Sequence, residues 1–176
     1  VNNAVKVAIM KNEIAILQSD GNIELITKNA INDTKNSSKI LSNVVDIKSQ
    51  NESLIAIDKD LNAYTYGNNT KGQAGNSTTS SKVQITKVNT EGKQYIAASA
   101  GYEDNYLIDT QGFVYASGDN QYGQLGNGTN ISSSTFTLVG DKKFKIVPEA
   151  RTMAQPETEK VSIESNGFNV FGNTQN

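Results

Sequence analysis

GDNQYGQLGNG occupies residues 118–128 and holds four glycines among eleven residues, and GNNTKGQAGNS at residues 67–77 is a loose second copy. Taken alone, the first stretch has the composition of a loop that wraps a ligand. The second makes it part of a repeat. Sliding the chain over itself by 51 residues brings Gly67 onto Gly118, Gly72 onto Gly123, Gly75 onto Gly126 and Asn76 onto Asn127 without a gap. Over residues 44–89 and 95–140 the two rows share 14 of 46 residues, including Asp58 with Asp109 and Tyr64 with Tyr115. A period near 50 predicts propeller blades or solenoid repeats before any other fold.

An eroded copy precedes these two at an offset of 40, where residues 5–26 lie over residues 45–66. The residues it lacks fall in the glycine loop, replaced by NAINDTKNSSK at residues 29–39, a polar segment with no glycine. KVSIESNGFNVFGN, residues 160–173, aligns on residues 105–120 as a partial fourth copy. The whole chain therefore reads as one array: a degenerate repeat at 4–43, full repeats at 44–94 and 95–144, and a partial repeat at 145–176.

Short apolar runs at residues 14–17, 54–57, 106–108 and 161–163 are bounded by turn residues, as expected of strands buried on both faces, and are expected to be the inner strands. Each is followed by a short turn and an aromatic or β-branched strand, such as residues 63–66 or 113–116, which makes a hairpin repeated four times. The fold class is all-β. PEARTMAQPETEK, residues 148–160, is either a turn of helix or an irregular insertion.

Composition removes most chemistry. Lys and Arg total 16 against 18 Asp and Glu, for a net charge of −2, without the basic field that a phosphate backbone requires. The absence of His and Cys excludes imidazole bases, thiol nucleophiles, disulfides and nearly every structural zinc arrangement. No run reaches the roughly 20 apolar residues of a membrane span. No signal peptide opens the sequence, so an exported form has lost its signal. Twenty-two Asn and fifteen Lys against one Arg suit the Cys-free, amide-rich surface proteins of low-GC bacteria.

The stretch from residue 97 to 129, AASAGYEDNYLIDTQGFVYASGDNQYGQLGNGT, resembles the regulator of chromosome condensation repeat family. That family's blade runs through an apolar stretch, Gly-x-x-His-Ser, Leu-Ala-Leu, an Asp-Gly turn, Val-Tyr-x-Trp-Gly and Asn-x-x-Gly-Gln-Leu-Gly. The likeness is specific over the third copy, good over the second, weak over the first and truncated in the fourth. It implies a β-propeller of four-stranded blades, closing with about seven. About three and a half repeats make an incomplete or oligomer-completed ring, which a longer chain or a homodimer completes unless the unusual first copy caps its end. Two departures stand out. The family's His is Asp104 and Ser53 here, and its Trp is Ser117 and Tyr66, so looser packing between blades is expected.

The glycine loop lacks the Gly-x-x-x-x-Gly-Lys-Ser/Thr order of a phosphate cradle. Its glycines read as positive-φ or closely packed positions, with Asn120, Gln124 and Asn127 bonding loop backbone. The tips between glycines vary, and variable tips on a repeated frame are where a propeller places specificity. Candidate partner-binding residues are Asp119, Gln121, Tyr122, Tyr102, Asn68, Thr70 and Lys71, the tyrosines offering apolar area with a polar end. The acidic pair Glu103 and Asp104 reads as a solvated turn, too sparse for calcium and wrongly placed for a glycosidase. No catalytic residue, metal ligand or cofactor is expected. The expected function is a non-enzymatic module of a secreted or surface bacterial protein, binding a protein or glycan, with an extracellular or cell-surface location. The resemblance leaves two alternatives, an inhibitor of a secreted enzyme and a nucleotide exchange factor for a small GTPase.

Overall fold

Alternating apolar side chains and Asp-centred turns fold the chain into consecutive antiparallel strands. The structure, a computed structural model, describes residues 3–27, 37–88 and 91–140, all within the unit Val1–Ile146. Blade 1 is β1 (Ala4–Ile9), β2 (Glu13–Gln18), β3 (Ile23–Thr27) and β4 (Ser37–Leu41). Blade 2 is β5 (Val44–Gln50), β6 (Ser53–Asp58), β7 (Ala63–Asn68) and β8 (Lys82–Lys87). Blade 3 is β9 (Tyr95–Ala100), β10 (Asp104–Asp109), β11 (Val114–Gly118) and β12 (Ser133–Leu138). Each blade is a four-stranded sheet in sequence order. The segment at residues 148–160 and the partial fourth copy lie outside the described residues, as do residues 29–36 of the glycine-free segment, whose last three residues open β4.

Among the described residues β2, β6 and β10 recur at offsets of 40 and 51, each as the second strand of its blade. One reason is the turn that follows each of these strands. Asp58 Oδ1 accepts the amides of Asp60 (2.9 Å) and Asn62 (2.8 Å), and Asp109 Oδ1 accepts those of Gln111 and Phe113, both at 2.9 Å. A carboxylate that satisfies two turn amides closes the hairpin without further help. At the left-handed position of this turn Gly21 and Gly112 have φ of 82° and 90°, while blade 2 holds Leu61 at φ 63°.

Two apolar cores lie between the blades. Ala8, Met10, Ala15, Leu17, Ile23 and Leu25 of blade 1 meet Val44, Ile47, Leu54, Ala56 and Tyr66 of blade 2. Across the next boundary Ile55, Ile57, Ala63 and Val88 meet Tyr95 and Leu107. β6 is buried at every position because its odd and even side chains serve different cores. The apolar runs expected as inner strands are the second strands, hydrogen-bonded on both sides. β6, paired on both sides and buried on both faces, is the inner strand its sequence predicts, and blades meet along it as well as along the hub strands β1, β5 and β9: β1 contacts β5, and both β5 and β6 contact β9. A hub strand such as β5 buries only Val44 and Ile47.

Candidate functional site

In an antiparallel meander the first and third connections of every blade leave from the same end of the sheet. The β9–β10 turn carrying Tyr102 and Glu103, the β7–β8 loop and the β11–β12 loop therefore share one face. All seven candidate residues lie on it.

The two glycine loops have the same internal skeleton. Asn69 and Asn120 are both 0% exposed. Asn69 Oδ1 accepts the Ala74 amide at 2.8 Å, and its Nδ2 donates to Asn76 Oδ1 (3.1 Å) and the Thr78 carbonyl (3.0 Å). Asn120 repeats this with Leu125 N (2.9 Å), Asn127 Oδ1 (3.1 Å) and the Thr129 carbonyl (2.8 Å). Gln73 and Gln124 each accept the amide two residues earlier, of Lys71 and Tyr122, at 3.0 Å. Both Asn side chains and both Gln oxygens are thus spent within their own loops, while Gln73 Nε2 is buried without a hydrogen-bond partner.

The blade 2 loop then reaches across to blade 3. The Gln73 carbonyl accepts Asn105 Nδ2 and Ser117 Oγ, each at 2.9 Å, and the Ser77 amide donates to the Ser134 carbonyl at 2.8 Å. Asn76 bridges Thr135 of β12. This loop is a clasp between blades. Ser117, expected to loosen packing in place of a large aromatic, is 0% exposed because its small side chain admits the clasp and supplies it with a donor. Between blades 1 and 2 there is a groove of about 380 Å³. Glu13, Glu52, Asn68 and Lys82 line it. Glu13 Oε1 there accepts both Tyr66 Oη and Lys82 Nζ at 2.9 Å, tying the two blades together.

The candidate residues divide by burial. Asp119 is 5% exposed, its carboxylate accepting Gln124 Nε2 at 2.8 Å and facing Lys71 Nζ at 3.6 Å. Lys71 also faces Glu103 at 4.0 Å, so this lysine joins the blade 2 loop to two carboxylates of blade 3. Asn68 donates to Glu52 Oε2 at 3.2 Å and accepts the Thr70 amide at 2.9 Å. Thr70 and Gln121 are exposed, Tyr102 is 65% exposed and Tyr122 is 90% exposed. Ile131, 75% exposed in the same loop as Tyr122, escaped the sequence reading, its only signal being one branched apolar residue in a polar loop.

Electrostatics on this face follow burial. Burial pushes the Asp104 carboxyl up, with the charges of Asp119 and Glu103 adding to the effect and the Tyr106 hydroxyl opposing it. Burial, then the Asp104 charge, raises the Tyr106 phenol to about 12. Tyr106 Oη donates to the Gln124 carbonyl at 3.0 Å, so it is a post under the loop. Glu103 and Asp104 are both half-buried, in place of the solvated turn expected. Among the described residues no group of three or more acidic side chains gathers where a metal ion would sit. Among them, too, no helix is long and apolar enough to cross a membrane.

Four-stranded meanders that meet along their first strands, with the third loop of blade 2 clasping blade 3, define a β-propeller blade array. The family model described as the regulator of chromosome condensation (RCC1) repeat matches residues 111–146, a stretch that includes β11 and β12 of blade 3. Among solved structures, yeast RCC1 (Prp20) bound to Kap60 is similar at 18% identity and TM-score 0.67, over 82% of this chain and 39% of that one. Prp20p from Saccharomyces cerevisiae, in a structure reported with its binding properties to Gsp1p and histones, matches at 18% and 0.67, over 82% and 41%. Human WBSCR16 matches at 19% and 0.64, over 77% and 37%. The chain spans about two fifths of the length of these structures. No curated protein matches the sequence.

Proposed function

We propose that this chain is a non-enzymatic protein-binding module whose recognition surface is the loop face of blade 3. The observation that carries this reading is the exposure of three large side chains there, Tyr102 at 65%, Ile131 at 75% and Tyr122 at 90%. Exposed aromatic and branched residues on a rigid frame are the usual anchors of protein interfaces, since they bring apolar area at small entropic cost. Asp119, Lys71 and Asn68 hold the frame, while Gln121 and Thr70 stand at its polar rim. The printed descriptions of the yeast structures, Prp20 bound to Kap60 and Prp20p with its binding to Gsp1p and histones, support protein partners for this repeat. Glycan binding is the second form of the same reading, because tyrosines also stack on sugar rings. Exchange activity on a small GTPase and inhibition of a secreted enzyme are narrower forms of protein binding. The amide-rich, Cys-free composition supports a secreted or surface bacterial setting. Ring completion, by a longer chain or by a second copy, belongs to the same reading.

The test is a comparative capture from the source organism's extracellular and cellular fractions, with the intact chain beside a Tyr102→Ala/Tyr122→Ala variant. The reading expects a discrete partner to be enriched by the intact chain and lost from the variant at unchanged thermal midpoint. A partner set equally retained by both would refute the surface, and turnover of an ester, peptide or glycoside by the purified chain would refute the non-enzymatic assignment.

A further inference from the structure

The two glycine loops hold a matched pair of asparagines that differ in one chemical respect. Asn76 and Asn127 occupy the same repeat position, both are half-buried, and the Oδ1 of each accepts three donors. For Asn76 these are Asn69 Nδ2 (3.1 Å), the Thr78 amide (3.1 Å) and Thr78 Oγ1 (2.7 Å). For Asn127 they are Asn120 Nδ2 (3.1 Å), the Thr129 amide (3.1 Å) and Thr129 Oγ1 (2.8 Å). Three donors on one carbonyl oxygen polarise its carbon and stabilise the negative charge that the oxygen takes on when that carbon is attacked.

The difference is the backbone amide that follows. The Ser77 amide donates to the Ser134 carbonyl at 2.8 Å as part of the clasp onto blade 3, and Asn76 itself pairs with Thr135 of β12. The Gly128 amide donates to no group among the described residues. Gly128 is exposed, with φ 76° and nothing within 4 Å of where a Cβ would lie. Beside Asn127 the following nitrogen is therefore unengaged and unhindered, whereas beside Asn76 it is held and carries a side chain.

We propose that Asn127 is a self-modification site, whose side-chain amide cyclises onto the Gly128 nitrogen and is then hydrolysed, while the clasp protects Asn76. In the first step the Gly128 nitrogen passes its proton to a solvent base and bonds to Asn127 Cγ. Nδ2 takes a proton from water and leaves as ammonia, so the product is a succinimide ring. Water then adds to either ring carbonyl and breaks its bond to nitrogen, giving aspartate or isoaspartate. The sum is one water consumed and one ammonia released.

Either product adds a negative charge to the loop that carries Tyr122 and Ile131. Aspartate keeps an acceptor for Asn120 and Thr129. Isoaspartate lengthens the main chain by a methylene and draws the Thr129 donors out of register, so the frame beneath Ile131 loosens as the protein ages. The inference rests on the loop frame and is independent of whether this face binds a partner.

Timed incubation of the folded chain in mildly alkaline buffer, followed by tryptic peptide mapping, tests it. Trypsin places Asn76, Asn127 and Asn166, the other asparagine followed by glycine, on separate peptides, residues 72–82, 94–142 and 161–176. Conversion of amide to acid at Asn127 should run about tenfold or more faster than at Asn76, with isoaspartate detected by enzymatic methylation. Gly128→Ala, whose methyl has room, should slow Asn127 by about tenfold at unchanged far-UV circular dichroism. Ser77→Gly separates the held amide from the side chain. In denaturant this variant should convert at Asn76 and Asn127 alike, and when folded it should keep Asn76 the slower of the two, because Ser134 still holds the amide. An Asn127 that stays intact while the denatured chain converts, equal rates at Asn76 and Asn127 in the folded chain, or a folded Ser77→Gly that brings Asn76 to the rate of Asn127 would overturn the proposal.

Discussion

Alanine at position 118 puts a methyl group where the structure has backbone. Gly118 sits at φ 116°, and a Cβ there would lie 2.2 Å from the Glu103 carbonyl oxygen and 2.7 Å from the Asp104 Cα. Neither neighbour is a side-chain end that can swing away. Relief requires moving the β9–β10 turn off the start of the glycine loop, which breaks the Asp119 amide bond to Glu103, 2.9 Å long. The left-handed backbone costs about 1–3 kcal/mol for a residue with a Cβ, and the lost buried bond adds about 0.5–1.5 kcal/mol. The expected destabilisation of Gly118→Ala is thus about 2–4 kcal/mol. Gly128→Ala is the internal control, with φ 76° but nothing within 4 Å of its Cβ. It carries the backbone part alone, about 1–2 kcal/mol. Urea unfolding of both variants, followed by circular dichroism, reads the difference. Equal losses at the two positions would refute the close approach of turn and loop on which the face depends.

Other outcomes follow from the turns and the buried acids. Leu61→Gly should stabilise by up to about 1 kcal/mol, because relief of the left-handed strain of about 1–2 kcal/mol exceeds the entropic cost of glycine, about 0.5–1 kcal/mol. A lower urea midpoint for this variant would contradict the strain at φ 63°. At Asp58 burial acts to raise the carboxyl, yet bonds from the side chain and amide of Asn62, from Tyr64 and from the Asp60 amide outweigh it and hold it below 3.8. Its stabilisation is present above pH 3.8 and lost as pH falls through the lower folded value, so Asp58→Asn should flatten the acid limb of stability. Tyr106 runs the other way. Its contribution is complete below the unfolded value of 10.0 and is lost as pH rises towards about 12, and Tyr106→Phe should remove that alkaline step.

The blades were legible because repetition and strand patterning agree. The runs in β2, β6 and β10 declare themselves by continuous apolar character, and the glycines fix the period of the two full copies. The hub strands were not legible. β5 reads VVDIKSQ, with one face against a neighbouring blade and the rest polar, which hides its central place. At the site, sequence found the varying positions between the glycines but not the face they share, and it ranked Asp119 with Gln121 and Tyr122. An acidic loop residue looks exposed until its partners are known, and here they are Gln124 of its own loop and Lys71 of the previous blade. Ser117 and Asn105 carried a signal that was readable. Where the second copy has Tyr66 and Leu54, two polar residues at buried positions announce an acceptor from a neighbouring element, and the Gln73 carbonyl is that acceptor.

The division of the glycine loop into a rigid frame and free tips is the central claim, and thermal unfolding of two variants side by side tests it most directly. Asn120→Ala leaves the buried Leu125 amide unpaired, together with the Asn127 and Thr129 acceptors. At about 1–3 kcal/mol for a buried group left unsatisfied, and about 2–4 °C per kcal/mol in a chain of this size, the midpoint should fall by roughly 5–10 °C. Gln121→Ala/Tyr122→Ala, one position away in sequence, should leave it unchanged within a degree or so. A large drop in the tip variant, or none in Asn120→Ala, would contradict the account.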